Sequence, residues 1–221
     1  MRILLVAGHD APASALNRPL AEAGYAVDSA HRAEDAAALA EAGRYCLVLL
    51  DMLAPSLGGL DLLRGWRSAC LAALVLALSS GRTDDSIACL EAGADDCMGS
   101  PPGLPEFMAR VRALLRRRHA IKSPLLRIDD LSIDTTSRAV KRAGRPVHLT
   151  RREYSLLEYL AFRQGESATR SEILQALWSA PDAVRSNIVD STVRNLRAKI
   201  DDGREQPLIL TRWGEGYALR I

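Results

Sequence analysis

Along the first half of the chain, short apolar runs alternate with stretches whose apolar positions recur every three or four residues. Residues 2–6, RILLV, form the first run and end at Ala7-Gly8; residues 46–50, CLVLL, form the most apolar one and end on Asp51. Runs of this length without polar interruption read as strands covered on both faces. Residues 25–29, 74–78 and 96–98 give three more strands. Helical periodicity fills the intervals 13–23, 33–42, 60–67 and 84–92, with Gly24 and Gly43 as stops, and a final periodic helix spans 104–118. Strict strand–helix alternation predicts an α/β fold, a parallel sheet with helices on both faces. In such sheets the chemistry gathers at the carboxyl ends of the strands. The residues there are Ala7, Gly8, Asp51, Ser79 and Ser100.

The pattern changes after RRRHAIKSP at 116–124, where basic residues suit a helix C-terminus and Ser123-Pro124 breaks it. We read a domain at 1–118, a linker at 119–124 and a second domain at 125–221. The second domain opens with strands at 125–133, 138–142 and 146–149, turning at 134–136 and at Ala143-Gly144, an antiparallel sheet. Thr150 with Glu153 three residues on is a capping box opening a helix over 151–163. Either Thr169 or Ser171 starts the next helix, which Trp178 ends. Strands at 207–211 and 216–221 flank Arg212-Trp213-Gly214-Glu215 as a hairpin. A small sheet, three helices and a hairpin make a winged helix-turn-helix.

The third of those helices, 187–200 (NIVDSTVRNLRAKI), carries the candidate chemistry. Val189, Val193, Leu196 and Ile200 line one stripe. Ser191, Thr192, Arg194, Asn195, Arg197 and Lys199 lie off it. A helix packed on one side and cationic on the other suits a DNA major groove.

Composition sharpens the division of labour. The net charge of +2 hides an asymmetry: 9 Lys/Arg against 14 Asp/Glu in residues 1–115, 4 cations and no acids in 116–124, and 16 against 13 in 125–221. An acidic module joined to a basic one fits regulation coupled to anion binding. No apolar run reaches membrane-spanning length, and the chain opens straight into a strand, so we expect a cytoplasmic protein with no membrane partner. Cys46, Cys70, Cys89 and Cys97 lack metal-ligand spacing and read as reduced, mostly buried thiols.

The motifs also carry a resemblance. MRILLV, LVLLDMLAPSLGGLDLL, LEAGADD with Pro101, and EFMARVRALLRR resemble the receiver domain of two-component response regulators. LTRREYSLLEYL, SEILQALW, NIVDSTVRNLRAKI and WGEGY resemble the DNA-binding effector domain of the OmpR/PhoB class. The implied fold is a doubly wound five-stranded (βα)5 receiver followed by a winged helix-turn-helix with an N-terminal antiparallel sheet. The resemblance implies that Asp51 matches the phosphoacceptor and Ser79 the switch hydroxyl. Ala7 and Gly8 stand where two Mg²⁺-holding acids are usual, Ser100 where a lysine is usual, and Cys97 where the aromatic switch residue is usual. His9 and Asp10 fall one or two positions too late, and only a register slip brings Asp10 near the site. We therefore expect a receiver fold that has largely lost phosphotransfer, with Asp51 vestigial or weak, no resident cofactor or metal, and no enzymatic activity.

The same resemblance implies dimerisation through the fourth helix, fifth strand and fifth helix. Glu91, Asp95, Asp96, Glu106 and Arg110 match the charge pairs, Ser86 leaves that network incomplete, and Ile87, Leu90 and Val111 supply apolar contact. It implies that 187–200 enters the major groove, that the hairpin reaches the adjacent minor groove, and that the loop 179–186 matches the segment that can contact RNA polymerase. Candidate DNA contacts are Asn187, Ser191, Thr192, Arg194, Asn195, Arg197, Lys199, Trp178, Thr211, Arg212, Trp213 and Tyr217; Trp178 and Tyr217 also read as core-edge residues, and Asp190 as a partner for an arginine. Asn195 and Trp213 stand where relatives often have arginine, and strand alternation turns Arg212 away from the groove. The expected function is a dimeric, sequence-specific transcription regulator acting on paired half-sites, largely independent of phosphorylation. The alternatives are a conventional switch at Asp51, or a receiver controlled by a ligand at the Ala7/Asp51/Ser100 pocket or by a partner protein.

Overall fold

The computed structural model describes all residues except 43–44, 122, 179–186, 204–205 and 221. The chain divides into two compact units, Met1–Arg118 and His119–Ile221.

In the first unit, β1 (Arg2–Val6), β2 (Ala26–Ala30), β3 (Leu47–Asp51), β4 (Leu74–Ser79) and β5 (Asp96–Gly99) form one parallel sheet in the order β2-β1-β3-β4-β5. Leu4, Val6, Val48, Leu50, Val75 and Ala77 pack on one face. They meet Ala36 and Ala40 of α2 (Ala33–Glu41), Leu63 and Trp66 of α3 (Gly59–Ser68) and Cys89 of α4 (Thr83–Glu91). The alternate residues Ile3, Leu5, Leu49 and Leu76 are buried as well, as are Leu20 of α1 (Asn17–Glu22) and Phe107, Val111 and Leu114 of α5 (Leu104–Arg118). Burial on both faces is why these strands are continuously apolar. The helix expected over 13–23 is instead a 3₁₀ turn at Pro12–Leu16 followed by α1. Pro19 explains the break: its ring is tolerated in the first turn of a helix but not in the interior.

Arg67 braces the far ends of this sheet. Its guanidinium donates to the carbonyls of Gly93 (2.8 Å), Leu71 (3.1 Å) and Ala73 (3.0 Å) and to Asp95 Oδ2 (2.6 Å), which also accepts the Val75 N–H (2.7 Å). One planar fork thus ties α3 to the start of β4 and to the turn before β5.

In the second unit, β6 (Leu125–Ile128), β7 (Leu131–Asp134), β8 (Ala139–Arg142) and β9 (Arg145–Pro146) form an antiparallel sheet. The single strand expected over 125–133 is a hairpin. Ile128 pairs with Leu131, so Asp129-Asp130 is a two-residue turn, with Asp129 at φ 54°. Aspartate tolerates that left-handed geometry, and Asp130 pairs with buried Arg142 at 2.8 Å. The last strand is shorter than the 146–149 expected.

The helices α6 (Arg151–Phe162), α7 (Arg170–Leu177) and α8 (Ile188–Ile200) follow, then the hairpin β10 (Ile209–Arg212) and β11 (Gly216–Leu219). Thr150/Glu153 and Thr169/Glu172 each close a full capping box, so Thr169 rather than Ser171 starts α7. Tyr154, Leu157, Leu160, Ile173, Leu177, Val189, Val193, Leu196 and Ile200 share one core with Ile133, Val140 and Ile209.

The hairpin is pinned to the segment before α7 by a reciprocal bridge, Ala168 N–H to Tyr217 O at 2.8 Å and Tyr217 N–H to Ala168 O at 2.9 Å. Gly216 permits this approach: it sits at φ +110°, and a Cβ there would lie 2.0 Å from the Ala168 carbonyl oxygen. Gly216→Ala should therefore lower stability by about 3 kcal/mol, combining backbone strain and a clash with backbone. Urea unfolding checks this, and a midpoint unchanged from the parent refutes it.

Candidate nucleic-acid interface and strand-end site

The strand register brings the first unit's candidate residues together. Val6 lies beside Leu50, Asp51 beside Leu78 and Ser79 beside Gly99. The Ser100 N–H donates to Ser79 O at 2.8 Å. Ala7, Asp51, Ser79 and Ser100 thus end adjacent strands, as the sequence implied. Asp51 is buried, and its Oδ1 accepts the Leu53 N–H at 3.0 Å. Ser79, also buried, receives the Cys97 thiol at 3.3 Å and the Gly81 N–H at 3.4 Å. Asp10 is exposed, and among the described residues no three His, Cys, Asp or Glu side chains form a cluster able to hold a metal. A cleft of about 400 Å³ opens beside this site, lined by Met52, Gly59, Ser79, Ser80, Asp85 and Cys89 among others. Ala7, Asp51 and Ser100 are not among the residues that line it. Cys46 and Cys89 are buried and their thiols are pushed up by desolvation, Cys89 to about 12, whereas Cys70 is exposed.

The residues matched to a dimer face divide by accessibility. Ile87 and Leu90 of α4 are 47% and 48% exposed, whereas Val111 is fully buried in the α5 core face. Val111 is therefore a packing residue, which corrects its assignment as an apolar surface contact. Glu91 is exposed. Asp95 belongs to the Arg67 brace, and Arg110 links Asp96 (2.9 Å) with Glu106 (2.8 Å) within the chain. Those two carboxylates hold the guanidinium charged well above the ordinary range.

In the second unit, α8 buries Val189, Val193, Leu196 and Ile200, the stripe read from the sequence. Its outward face is Asn187, Arg194, Asn195 and Ala198, with Lys199 at the border and half-buried Ser191, whose hydroxyl donates to the Ile188 carbonyl at 3.0 Å. Arg194 and Asn195 are exposed and make no side-chain hydrogen bond or ion pair among the described residues. Several expected phosphate contacts point elsewhere. Thr192 is buried, and its hydroxyl donates to the Ile188 carbonyl at 2.7 Å; Trp178 is buried in the core with Arg152 stacked 5.5 Å from its ring. The Thr192 hydroxyl is engaged within its own helix, which corrects its assignment as a phosphate contact, and Trp178 is a core residue, the other reading its position allowed. Arg197 donates twice to Ile209 O (3.0 and 2.8 Å) and once to Thr211 Oγ1 (2.7 Å), so both side chains clamp α8 to the wing. Arg212 folds back to Gly165 O at 3.4 Å, while Trp213 is 94% exposed at the hairpin tip. The loop 179–186, matched to an RNA polymerase contact, lies outside the described residues.

Arg170 was missed by sequence reasoning. It donates to Asp190 Oδ1 (2.8 Å) and to Tyr217 Oη (3.2 Å), and the Tyr217 hydroxyl donates to the same Asp190 oxygen at 2.6 Å. Asp190 thus has the arginine partner expected of it, and Tyr217 is buried against both. The available signal was a cation at the first position of a helix, against the dipole, which needs a nearby anion. The Tyr217 hydroxyl and the Arg170 guanidinium hold the Asp190 carboxyl below the usual range, and burial and Asp190 push Tyr217 up.

Lys199 is likewise engaged, with Nζ 2.6 Å from Glu153 Oε2. Burial opposes ionisation of Glu153, but the Lys199 ammonium and the Thr150 N–H outweigh it, so its pKa is lowered. A carboxyl lowered on folding stabilises the protein above its unfolded pKa of about 4.3. That stability disappears as pH falls through and below this value. Glu153→Gln should remove about 1–3 kcal/mol near neutral pH and flatten the acid limb of the stability curve. Unfolding midpoints from pH 7 down to 3 check this, and parallel curves for the two proteins refute it.

Comparison with known proteins agrees with both units. Residues 3–112 match the family described as response regulator receiver domain, and residues 144–219 match transcriptional regulatory protein, C terminal. The chain is 38% identical to the transcriptional regulatory protein PcoR of Escherichia coli, over 100% of this chain and 98% of the relative. It is 37% identical to the transcriptional regulatory protein CusR of Escherichia coli K12, with the same coverages. The first unit also matches the fold of a CheY-like receiver domain protein from Methanospirillum hungatei. That match has a TM-score of 0.50 and 23% identity, over 54% of this chain and 96% of that one. PcoR and CusR are transcriptional regulatory proteins. A receiver sheet and a winged helix matched along the whole chain place this protein in the OmpR/PhoB family of response regulators, DNA-binding regulators of transcription.

Proposed function

We propose that this regulator binds paired DNA half-sites as a homodimer joined through its receiver units, in the cytoplasm, largely independently of phosphorylation at Asp51. The observation that carries the reading is the chemistry of the strand ends: Ala7, Gly8 and Ser100 accompany buried Asp51. Magnesium demands several hard oxygen ligands at near-ideal octahedral geometry, and one carboxylate beside two residues without side-chain oxygen supplies them poorly. Phosphoryl transfer depends on neutralising charge on the phosphoryl oxygens, and Ser100 brings a hydroxyl where an ammonium would help. Exposed Ile87 and Leu90 support the dimer face. Single surface ion pairs add little, so apolar contact would lead there. By resemblance, the loop 179–186 is the segment proposed to meet RNA polymerase.

On DNA, Arg194 makes phosphate contact and Asn195 reads a base edge, with Asn187 and Ser191 on the same face. Affinity for a duplex selected from a random pool tests the phosphorylation claim. Wild type with and without acetyl phosphate and Mg²⁺, and Asp51→Ala, should agree within about twofold. A many-fold rise with the donor, or loss of binding in Asp51→Ala, sinks it and favours the conventional switch.

Asparagine pairs its amide with the adenine edge, whereas arginine forks onto guanine. Asn195→Arg should therefore move one position of the selected sequence from adenine to guanine, with discrimination of about 1–3 kcal/mol. An unchanged selected sequence removes Asn195 from the reading face.

A further inference from the structure

The chain holds three tryptophans, and the fold treats one of them differently. Trp66 and Trp178 are 4% and 2% exposed, whereas Trp213 is 94% exposed. An indole carries a large apolar area whose exposure to water is unfavourable, so a tip residue of this kind points to a partner.

In the wing, the side chains on either side of the turn are engaged within the chain, whereas Trp213 stands out in solvent. The Glu215 N–H donates to Arg212 O at 3.0 Å and Gly214 sits at φ +80°, a tight turn with Trp213 at its first corner. Its neighbours are tied back: Arg212 reaches Gly165 O at 3.4 Å and lies 3.9 Å from Glu215, and Glu215 accepts the Ser167 hydroxyl at 2.9 Å. The Ala168–Tyr217 bridge fixes the hairpin base. Among the described residues, the wing therefore presents an apolar ring whose neighbouring cation, half-exposed Arg212, is turned back on the chain.

Position identifies the partner. Thr211, at the end of β10, is bonded through Oγ1 to Arg197 of α8 at 2.7 Å, and the turn that carries Trp213 follows directly. Trp213 thus lies two residues beyond the clamp that joins the wing to the helix bearing Arg194 and Asn195. It continues the DNA-binding surface. With α8 in a major groove, the neighbouring feature across one phosphate strand is the narrower minor groove, about 6 Å wide, which admits a hairpin tip but not a helix. A ring entering there gains nothing from phosphates and gains most by stacking on an opened base step.

We propose that Trp213 is an intercalating wedge that partly inserts between base pairs from the minor groove and kinks the duplex. The inference rests on DNA binding by α8. Opening a step costs stacking energy, which is least at flexible pyrimidine–purine steps, and bending returns contact area. The wedge therefore selects sequence through deformability at a position that no hydrogen bond reads.

The full-length protein and a duplex it selects from a random pool provide the test, with Arg194→Ala as the control for helix contact. On binding, indole fluorescence should be quenched, and its remaining access to acrylamide lost, because the other two indoles are buried. Trp213→Ala should weaken binding about tenfold and reduce the bend measured by end-to-end energy transfer, Trp213→Phe should keep most of both, and Trp213→Arg should bind with a steeper salt dependence and little bend. The near-complete exposure of Trp213 means that none of these changes disturbs packing. If Trp213→Ala binds and bends DNA like wild type while Arg194→Ala does not, the wedge is overturned and the helix reading stands. Acrylamide access unchanged in the complex overturns it equally. Loss of binding in neither variant would count against the DNA-facing surface as a whole.

Discussion

The helices and the wing of the effector unit are tied together by cations engaged within the chain. Arg197 spends its fork on Ile209 O and Thr211, Lys199 neutralises Glu153 at the capping box of α6, and Arg170 reaches Asp190 and Tyr217. Buried or half-buried charges are costly unless matched, and matched ones fix geometry more than they add stability. The helix, the wing and the start of α7 are thereby set at one spacing, and the reciprocal bridge at Ala168 closes the arrangement where Gly216 lets backbones approach. A surface built this way is preorganised, so little ordering would remain for any ligand it binds.

The cost of that scaffold is a thin electrostatic face. Of the cations along 187–200, Arg194 is the one exposed without a side-chain partner among the described residues, and the wing offers an indole at its tip. Affinity for DNA is largely a matter of phosphates neutralised. A helix face with one unengaged cation leaves more of the binding to base edges and to duplex shape.

The receiver unit shows the complementary economy. A strand-end cluster of carboxylates repels itself and needs a cation to be stable. Here the companions are Ala7, Gly8 and Ser100, and Asp51 is kept in its buried place by the Leu53 N–H. The sheet does not depend on the missing groups, because its ends are tied by the Arg67 fork and its faces by aliphatic packing. The fold can therefore persist as a platform for Ile87 and Leu90 whatever becomes of phosphotransfer.

Sequence alone determined the order and kind of the elements, because strand and helix periodicities, capping boxes and strand-end positions are local. It placed the stripe of α8, the capping box at Thr150 and the alignment of Asp51, Ser79 and Ser100, and it found an arginine partner for Asp190 plausible without naming Arg170. It did not show that Asp129-Asp130 folds a strand into a hairpin, that Pro19 splits the first helix, or that Val111, Thr192 and Trp178 face inward. Nor could it sort the cations of the effector unit into those aimed outward and those spent within, since Lys199 meets Glu153 across 46 positions and Arg170 meets Tyr217 across 47. Those pairings are settled by packing between elements distant in the chain, which is why the apolar stripe of α8 was legible in the sequence and the network that supports the helix belonged to the tertiary structure.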